Sequence, residues 1–135
     1  MKKKFSDIAK QLLGQKYEFG KVDCFALVLQ YCELIGKELK QEHDNHNIRD
    51  YGSFYPGDLA YSERWLEGFM EENFEEIEIG KAFVGDIVLI RLNGSFPFLG
   101  IKGGNGKVIA ATKEYGVRVL PLKPYTVERA FKCQL

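Results

Sequence analysis

The chain has 135 residues, 45% of them hydrophobic, with ten Phe, seven Tyr and one Trp. That composition suits one domain, residues 1–135, around one core, and excludes a chain kept disordered by its composition. Nineteen basic residues balance nineteen acidic ones, which argues against a broad nucleic-acid surface, and no run of about 18 apolar residues offers a membrane span.

The first residues are basic, Met1-Lys2-Lys3-Lys4, with no apolar stretch behind them, so a secretory signal is not expected. Apolar residues Phe5, Ile8, Ala9, Leu12 and Leu13 recur at helical spacing and predict a helix over 5–13. Ser6-Asp7 marks its start and Gly14 its end. Residues 15–22 form a short loop, whose Tyr17 and Phe19 are expected to anchor it to the core.

Asp23 is a good N-cap, because its carboxylate accepts free amide hydrogens of a first helical turn. Phe25, Val28, Leu29, Tyr31, Cys32 and Ile35 then repeat at threes and fours, Leu27 and Leu34 widen the stripe, and Gly36 ends it. A largely buried helix is predicted. Residues 37–58 are polar and turn-rich and read as a long surface loop with room for a short helical piece. A loop of that length in a small domain is a candidate for function. A third helix is predicted over 59–72, with Tyr61, Trp65, Leu66, Phe69 and Met70 as its apolar stripe.

Beyond this point the period changes to two. Strands are predicted over 74–79 (an edge), 86–92, 98–102, 107–111, 117–122 and 127–132. Asn105-Gly106, within Gly103-Gly104-Asn105-Gly106, is a strong hairpin signal. It lacks the spacing and following helix of a phosphate loop. Helices come early and strands late, with connections too short for crossover helices. The expected class is therefore α+β, with N-terminal helices on a C-terminal antiparallel sheet.

Three cysteines, Cys24, Cys32 and Cys133, do not make a disulfide framework. On one helix Cys24 and Cys32 stand about 12 Å apart, beyond the roughly 7 Å a disulfide spans. A reducing setting is expected. No zinc-like spacing appears, and neither a metal nor a cofactor is expected. Cys24 opens the second helix, where the macrodipole and free amides favour a thiolate and lower its pKa. The same amides suit an oxyanion. Two readings of Cys24 stand: a nucleophile, or one of the buried cysteines common in cores. Cys32 reads as core; the sequence assigns Cys133 no role.

The stretch Tyr17-Glu-Phe-Gly-Lys-Val-Asp-Cys-Phe-Ala-Leu-Val28 resembles the nucleophile segment of the NlpC-type cell-wall peptidases, a branch of the papain-like cysteine peptidases. Val84-Gly-Asp-Ile-Val-Leu-Ile-Arg91 resembles their first central strand. Phe98-Leu-Gly-Ile-Lys-Gly-Gly-Asn-Gly-Lys-Val-Ile-Ala-Ala111 resembles the hairpin that follows, and 116–122 continues the pattern. The resemblance covers nearly the whole chain and implies a papain-like fold with Cys24 at the nucleophile position. It implies a catalytic histidine where Phe98 stands and a further polar residue where Ala110 stands. Neither side chain can serve a thiol as base or orient an imidazole.

His43 and His46 are the two histidines of the chain and the remaining candidates for a base, with Asp44 and Asp50 as orienting carboxylates. A polar surface loop is the competing reading of the same residues. Glu71, Glu72, Glu75, Glu76 and Glu78 form an acidic cluster, read as a solvated face or a docking patch.

Short versions of the resembled domain occur in tailed bacteriophages. The resemblance therefore implies a tail assembly or tail-tip protein in which the catalytic site is degenerate. Its partners would be other phage tail proteins and its place the virion tail, assembled in the host cytoplasm. Two alternatives stand: an active cysteine hydrolase acting on peptidoglycan peptides, and a small protein-binding regulatory domain.

Overall fold

The computed structural model describes residues 4–18, 23–55 and 57–133. Helix α1 (Phe5–Leu12) buries Ile8 and Leu12. It begins before Ser6-Asp7: Lys4 is the N-cap and donates no side-chain cap, while Asp7 lies inside the first turn, where a carboxylate favours the helix dipole.

Helix α2 (Cys24–Ile35) begins as its sequence requires, the Asp23 carboxylate accepting the Ala26 N–H at 3.0 Å. It ends in a Schellman turn. Gly36 takes φ +76°, the Lys37 N–H donates to the Cys32 carbonyl at 2.9 Å, and the Gly36 N–H donates to Glu33 at 3.3 Å.

The polar segment after α2 is more ordered than a loop. Strands β1 (Glu42–His43) and β2 (His46–Asn47) form a tight hairpin with His43 opposite His46. Asp44 and Asn45 both have positive φ, 49° and 64°, as a type I′ turn demands. A 3₁₀ turn over Ile48–Ser53 follows and buries Ile48 and Tyr51. Helix α3 (Leu59–Asn73), capped by Asp58 accepting from Tyr61 N–H at 3.0 Å, buries Trp65, Leu66, Phe69 and Met70. Truncating a side chain of this kind to alanine costs about 2–5 kcal/mol.

The remaining strands, β3 (Glu75–Ile77), β4 (Ile87–Arg91), β5 (Phe98–Lys102), β6 (Lys107–Thr112), β7 (Gly116–Pro121) and β8 (Thr126–Lys132), form a six-stranded sheet of order β3-β8-β4-β5-β6-β7. Every pairing is antiparallel, so the α+β expectation holds, and the strand over 74–79 is an edge as expected. Period-two alternation splits the sheet's side chains. Ile87, Leu89, Leu99, Ile101, Ile109, Val117 and Phe131 face the helices, and Val88, Ile90, Val108 and Ala130 form a smaller cluster on the other side.

α2 lies across β5 and β6, and α1 packs on α2. Behind α1 the chain crosses the outer edge of β7: the Gly14 N–H donates to Val117 at 3.0 Å, and the Val117 N–H donates to Gln15 at 2.8 Å. The crossing is close. Gly116 has φ +74°, and a Cβ there would meet the Gln15 carbonyl. This pins the start of the segment that leads to Cys24.

The acidic cluster is largely tied within the chain. Arg129 pairs with Glu67, Glu71 and Glu76, Lys40 and His43 pair with Glu72, and Lys81 pairs with Glu78. Among the described residues no helix is long and apolar enough to cross a membrane.

Candidate functional site

Cys24 is the first residue of α2; the residue as a whole is half-buried, with its thiol among the packed side chains. It borders a cavity of about 170 Å³. Among the described residues the cavity wall comes from four places: Tyr17 before the helix, Asp23 and Phe25 around the cysteine, Tyr51 and Tyr55 after β2, and Phe96 to Phe98 with Ala111 and Lys113 from the sheet. Its aromatic walls are packed against one another. Phe25 lies 4.2 Å from Tyr51, and Tyr55 lies 5.0 Å from Phe96, between ring centroids.

The sheet opens to admit the cysteine. β5 and β6 are paired only at Ile101↔Ile109 and Lys102↔Val108. Toward the start of β5 the ladder is not continued, and the Leu99 N–H points at the Cys24 thiol instead. The amides of Phe25 and Cys24 itself point there too. The backbone amides of Leu99, Phe25 and Cys24 each act to lower the thiol's pKa, the sense that favours an anion.

Burial overrides them. The thiol is pushed up to about 12 from an ordinary 9.0, by desolvation first, with the nearby Asp23 carboxylate adding to the rise. The expectation of a lowered pKa is thus reversed. A helix terminus contributes about 0.3–1 kcal/mol, less than one pKa unit at 1.36 kcal/mol. Burial of an ionisable group moves its pKa by up to about 3–5 units. The neighbours respond in the same sense: Tyr17 is raised to about 12, by burial and then by Asp23, Cys24 and Tyr55, and Tyr55 is raised by burial and then by Cys24 and Asp23. Asp23 is buried and serves as the helix cap.

Neither His43 nor His46 lies in this wall. The His43 ring bonds the Glu72 carboxylate through Nδ1, packs edge-on to Trp65, and lies where a Cβ on Gly68 would be. Its carbonyl accepts the Trp65 indole N–H at 2.6 Å. The His46 ring packs on Phe54 at 4.8 Å and Tyr61 at 5.8 Å. Asp44, expected as an orienting carboxylate, accepts the Tyr61 hydroxyl at 2.6 Å. These side chains fasten the hairpin to α3 rather than meeting Cys24. Among the described residues no group of three or more His, Cys, Asp or Glu is arranged to hold a metal.

Two strand positions singled out from the sequence differ in fate. Phe98 borders the cavity, and its ring also packs on Tyr125 at 5.6 Å on the sheet's far side. Ala110 is fully buried and by alternation shares a face with Val108, away from the cysteine. The β6 residue that reaches the cavity is Ala111. The position expected for a third polar group thus shifts by one, and with it the face of the strand.

Tyr51, Tyr55, Phe96 and Lys113 were not singled out by the sequence as cavity residues. Aromatics spaced through an otherwise polar segment were the available signal for the first two. Phe19 and Gly20 of the resembled motif lie outside the described residues.

The crystal structure of the NlpC/p60 domain of the peptidoglycan hydrolase SagA is similar to this chain, with a TM-score of 0.60, 16% identity, and 95% of each chain covered. The fold is therefore of the papain-like NlpC type, with its helices on an antiparallel sheet. A search of curated proteins gives no match. Residues 1–133 match a family described as a domain of unknown function, DUF6950, and the chain belongs to that family.

Proposed function

We propose that this protein is a non-hydrolytic member of the NlpC/p60-like fold that acts by docking to other proteins, as a tail assembly or tail-tip component of a bacteriophage. The supporting observation is the composition of the cavity at Cys24: it has a thiol and amides that favour its anion but no imidazole, and the chain's two histidines are engaged at α3. Acyl transfer by cysteine needs a base within about 2.6–3.2 Å of the thiol and an acid for the leaving amine. Phe98 and Ala111 supply neither. The phage setting rests on the resemblance of the segments around Cys24 and in β4 to β7 to short phage forms of the domain. A fold alone does not assign a function.

The test is complementation. A folded Cys24→Ala protein is expected to support particle assembly as the parent does; loss of assembly by that folded variant would overturn the non-hydrolytic reading. Tail genes in the neighbouring reading frames are expected as well.

The amides at Cys24 favour a second reading, a cysteine hydrolase of peptidoglycan peptides, the polymer named for the similar SagA domain. On that reading, purified protein releases peptides from cross-linked peptidoglycan and Cys24→Ala abolishes the release. The proposed function expects no release from either.

A further inference from the structure

The hollow at Cys24 continues beyond its own wall. Tyr17 and Lys113 also line a second cleft, of about 440 Å³, at the turn between β6 and β7. The two are neighbours along one groove. The cleft is basic: Lys16, Lys113 and Arg118 border it, against the carboxylate of Glu114. All three cations are exposed. Among the described residues none of them pairs with a carboxylate, whereas Arg49, Arg91 and Arg129 all do. The backbone beneath them is tied down. The Thr112 hydroxyl donates to the Gly116 carbonyl at 2.9 Å and accepts the Tyr115 N–H at 3.1 Å, which holds the turn. The Arg118 guanidinium lies 5.0 Å over the Tyr115 ring. Lys16 sits at the close crossing of β7, where a Cβ on Gly116 would fall 3.2 Å from the Lys16 Cα. The Cys24 end of the groove is different, being aromatic and small. Its volume of about 170 Å³ is near the roughly 150 Å³ of a cavity that takes one benzene ring.

We propose that this groove is the docking site for an acidic segment of a partner protein. An aromatic side chain of the segment fills the Cys24 cavity, and carboxylates beside it meet Lys16, Lys113 and Arg118. The inference rests on the docking reading above and gives the partner its chemistry. Charge complementarity selects that partner: exposed cations without carboxylates of their own attract an acidic segment and repel a basic one. The buried Asp23 carboxylate sets the orientation, because it repels acidic residues from the cavity and leaves that end to an uncharged ring. Phe25, Tyr55 and Phe96 offer ring faces and edges to such an anchor. One buried aromatic in a pocket, flanked by polar contacts, is a common way to hold a short segment. A nucleic acid fits the groove less well. Its regular phosphates call for a longer track of cations, and here Glu114 stands among them.

The experiment is fluorescence anisotropy on the whole chain, with a fluorescein-labelled oligoglutamate peptide carrying one central phenylalanine. The peptide is expected to bind, and to bind more weakly as salt is raised. Replacing its phenylalanine by alanine is expected to weaken binding about tenfold. The double variant Lys113→Glu with Arg118→Glu is expected to weaken it about tenfold as well. Lys132→Glu, exposed on β8 and separated from β7 by β4, β5 and β6, is expected to change nothing. No binding, equal binding of an oligolysine peptide with the same phenylalanine, or an unchanged affinity in the folded double variant would each overturn the proposal. So would an oligothymidylate of equal charge that binds as tightly, which would make the cleft a nucleic-acid site. The peptide comparisons use the parent chain and decide even if the double variant misfolds. Failure here, with Cys24→Ala still supporting particle assembly, would leave docking to another surface of the protein. Release of peptides from peptidoglycan by the parent would instead overturn the docking reading itself.

Discussion

The two ends of α2 place the same atom in opposite settings. At the N-terminal end Cys24 faces a cavity, three backbone amides and a carboxylate, and no second thiol. At the C-terminal end the Cys32 and Cys133 thiols shift each other in opposite senses, Cys32 up and Cys133 down, with the Lys37 charge favouring the thiolate of each. The N-terminal site has the features usually credited with activating cysteine, namely a helix start and backbone N–H groups, yet its thiol is raised. The C-terminal pair sits where a helix dipole disfavours anions, yet Cys133 is lowered. The difference teaches that for a buried thiol the desolvation cost dominates the dipole. What offsets it is a direct donor together with a full charge, as the Cys32 hydrogen bond and Lys37 provide.

The largest effect expected is at the C-terminal end. Asp86 accepts the Cys133 N–H at 2.8 Å and the Phe83 N–H at 2.9 Å and is fully buried. Asp86→Ala leaves both donors without it and is expected to cost about 3 kcal/mol, read by chemical denaturation. A loss below about 1 kcal/mol would show that Cys133 is not held in this way.

The N-terminal end is tested by alkylation. A rise from 9.0 to about 12 cuts the ionised fraction of Cys24 near neutrality about a thousandfold. The greater nucleophilicity of a more basic thiolate returns part of this. Iodoacetamide is expected to modify Cys24 about thirtyfold more slowly than free cysteine at pH 8, with a rate that keeps climbing toward pH 12. A plateau beginning near neutral pH would mean an activated nucleophile and would reverse the comparison.

Stability against pH gives a smaller effect with a definite sign. Between 9.0 and about 12 the unfolded chain has released the Cys24 proton while the folded chain still holds it. Stability therefore falls as pH rises through this window, by at most about 1.4 kcal/mol per pH unit from this group, and is unaffected below it. Tyr17, raised from 10.0 to about 12, adds in the same direction at the upper end. Urea titrations at pH 8 and pH 10.5 are expected to show a shallower alkaline loss for Cys24→Ala than for the parent. An equal loss would place the Cys24 thiol near its ordinary value.

The smallest effect is a deliberate near-zero. His43→Ala and His46→Ala are expected to leave the Cys24 alkylation rate within about twofold, since neither imidazole serves it as a base. A large change from either would bring the hairpin to the site and favour the hydrolase reading.

Much of the architecture was legible because it depends on local chemistry. Asp23 and Gly36 mark both ends of α2, and Asn105-Gly106 marks the turn between β5 and β6, through capping and φ preferences that need no tertiary context. The hairpin of β1 and β2 was missed although Asp44-Asn45 carries it, because its strands are two residues long and show no alternation to read. The site was less legible still. Cys24 was found from its place at a helix start, but Tyr51, Tyr55 and Lys113 are distant in sequence and meet it only through folding.

By itself the sequence determined the class of the fold, the order of its elements and the position of one cysteine at the head of a buried helix. These follow from periodicity, caps and turn residues within a few positions of one another. Tertiary structure alone decided three things. It set the charge state of Cys24, because desolvation depends on everything packed around the sulfur. It turned Ala111 rather than Ala110 toward the cavity, because strand registry selects the face. It also buried Cys32 and Cys133 in one core cluster although about a hundred residues separate them, a distance no local pattern spans.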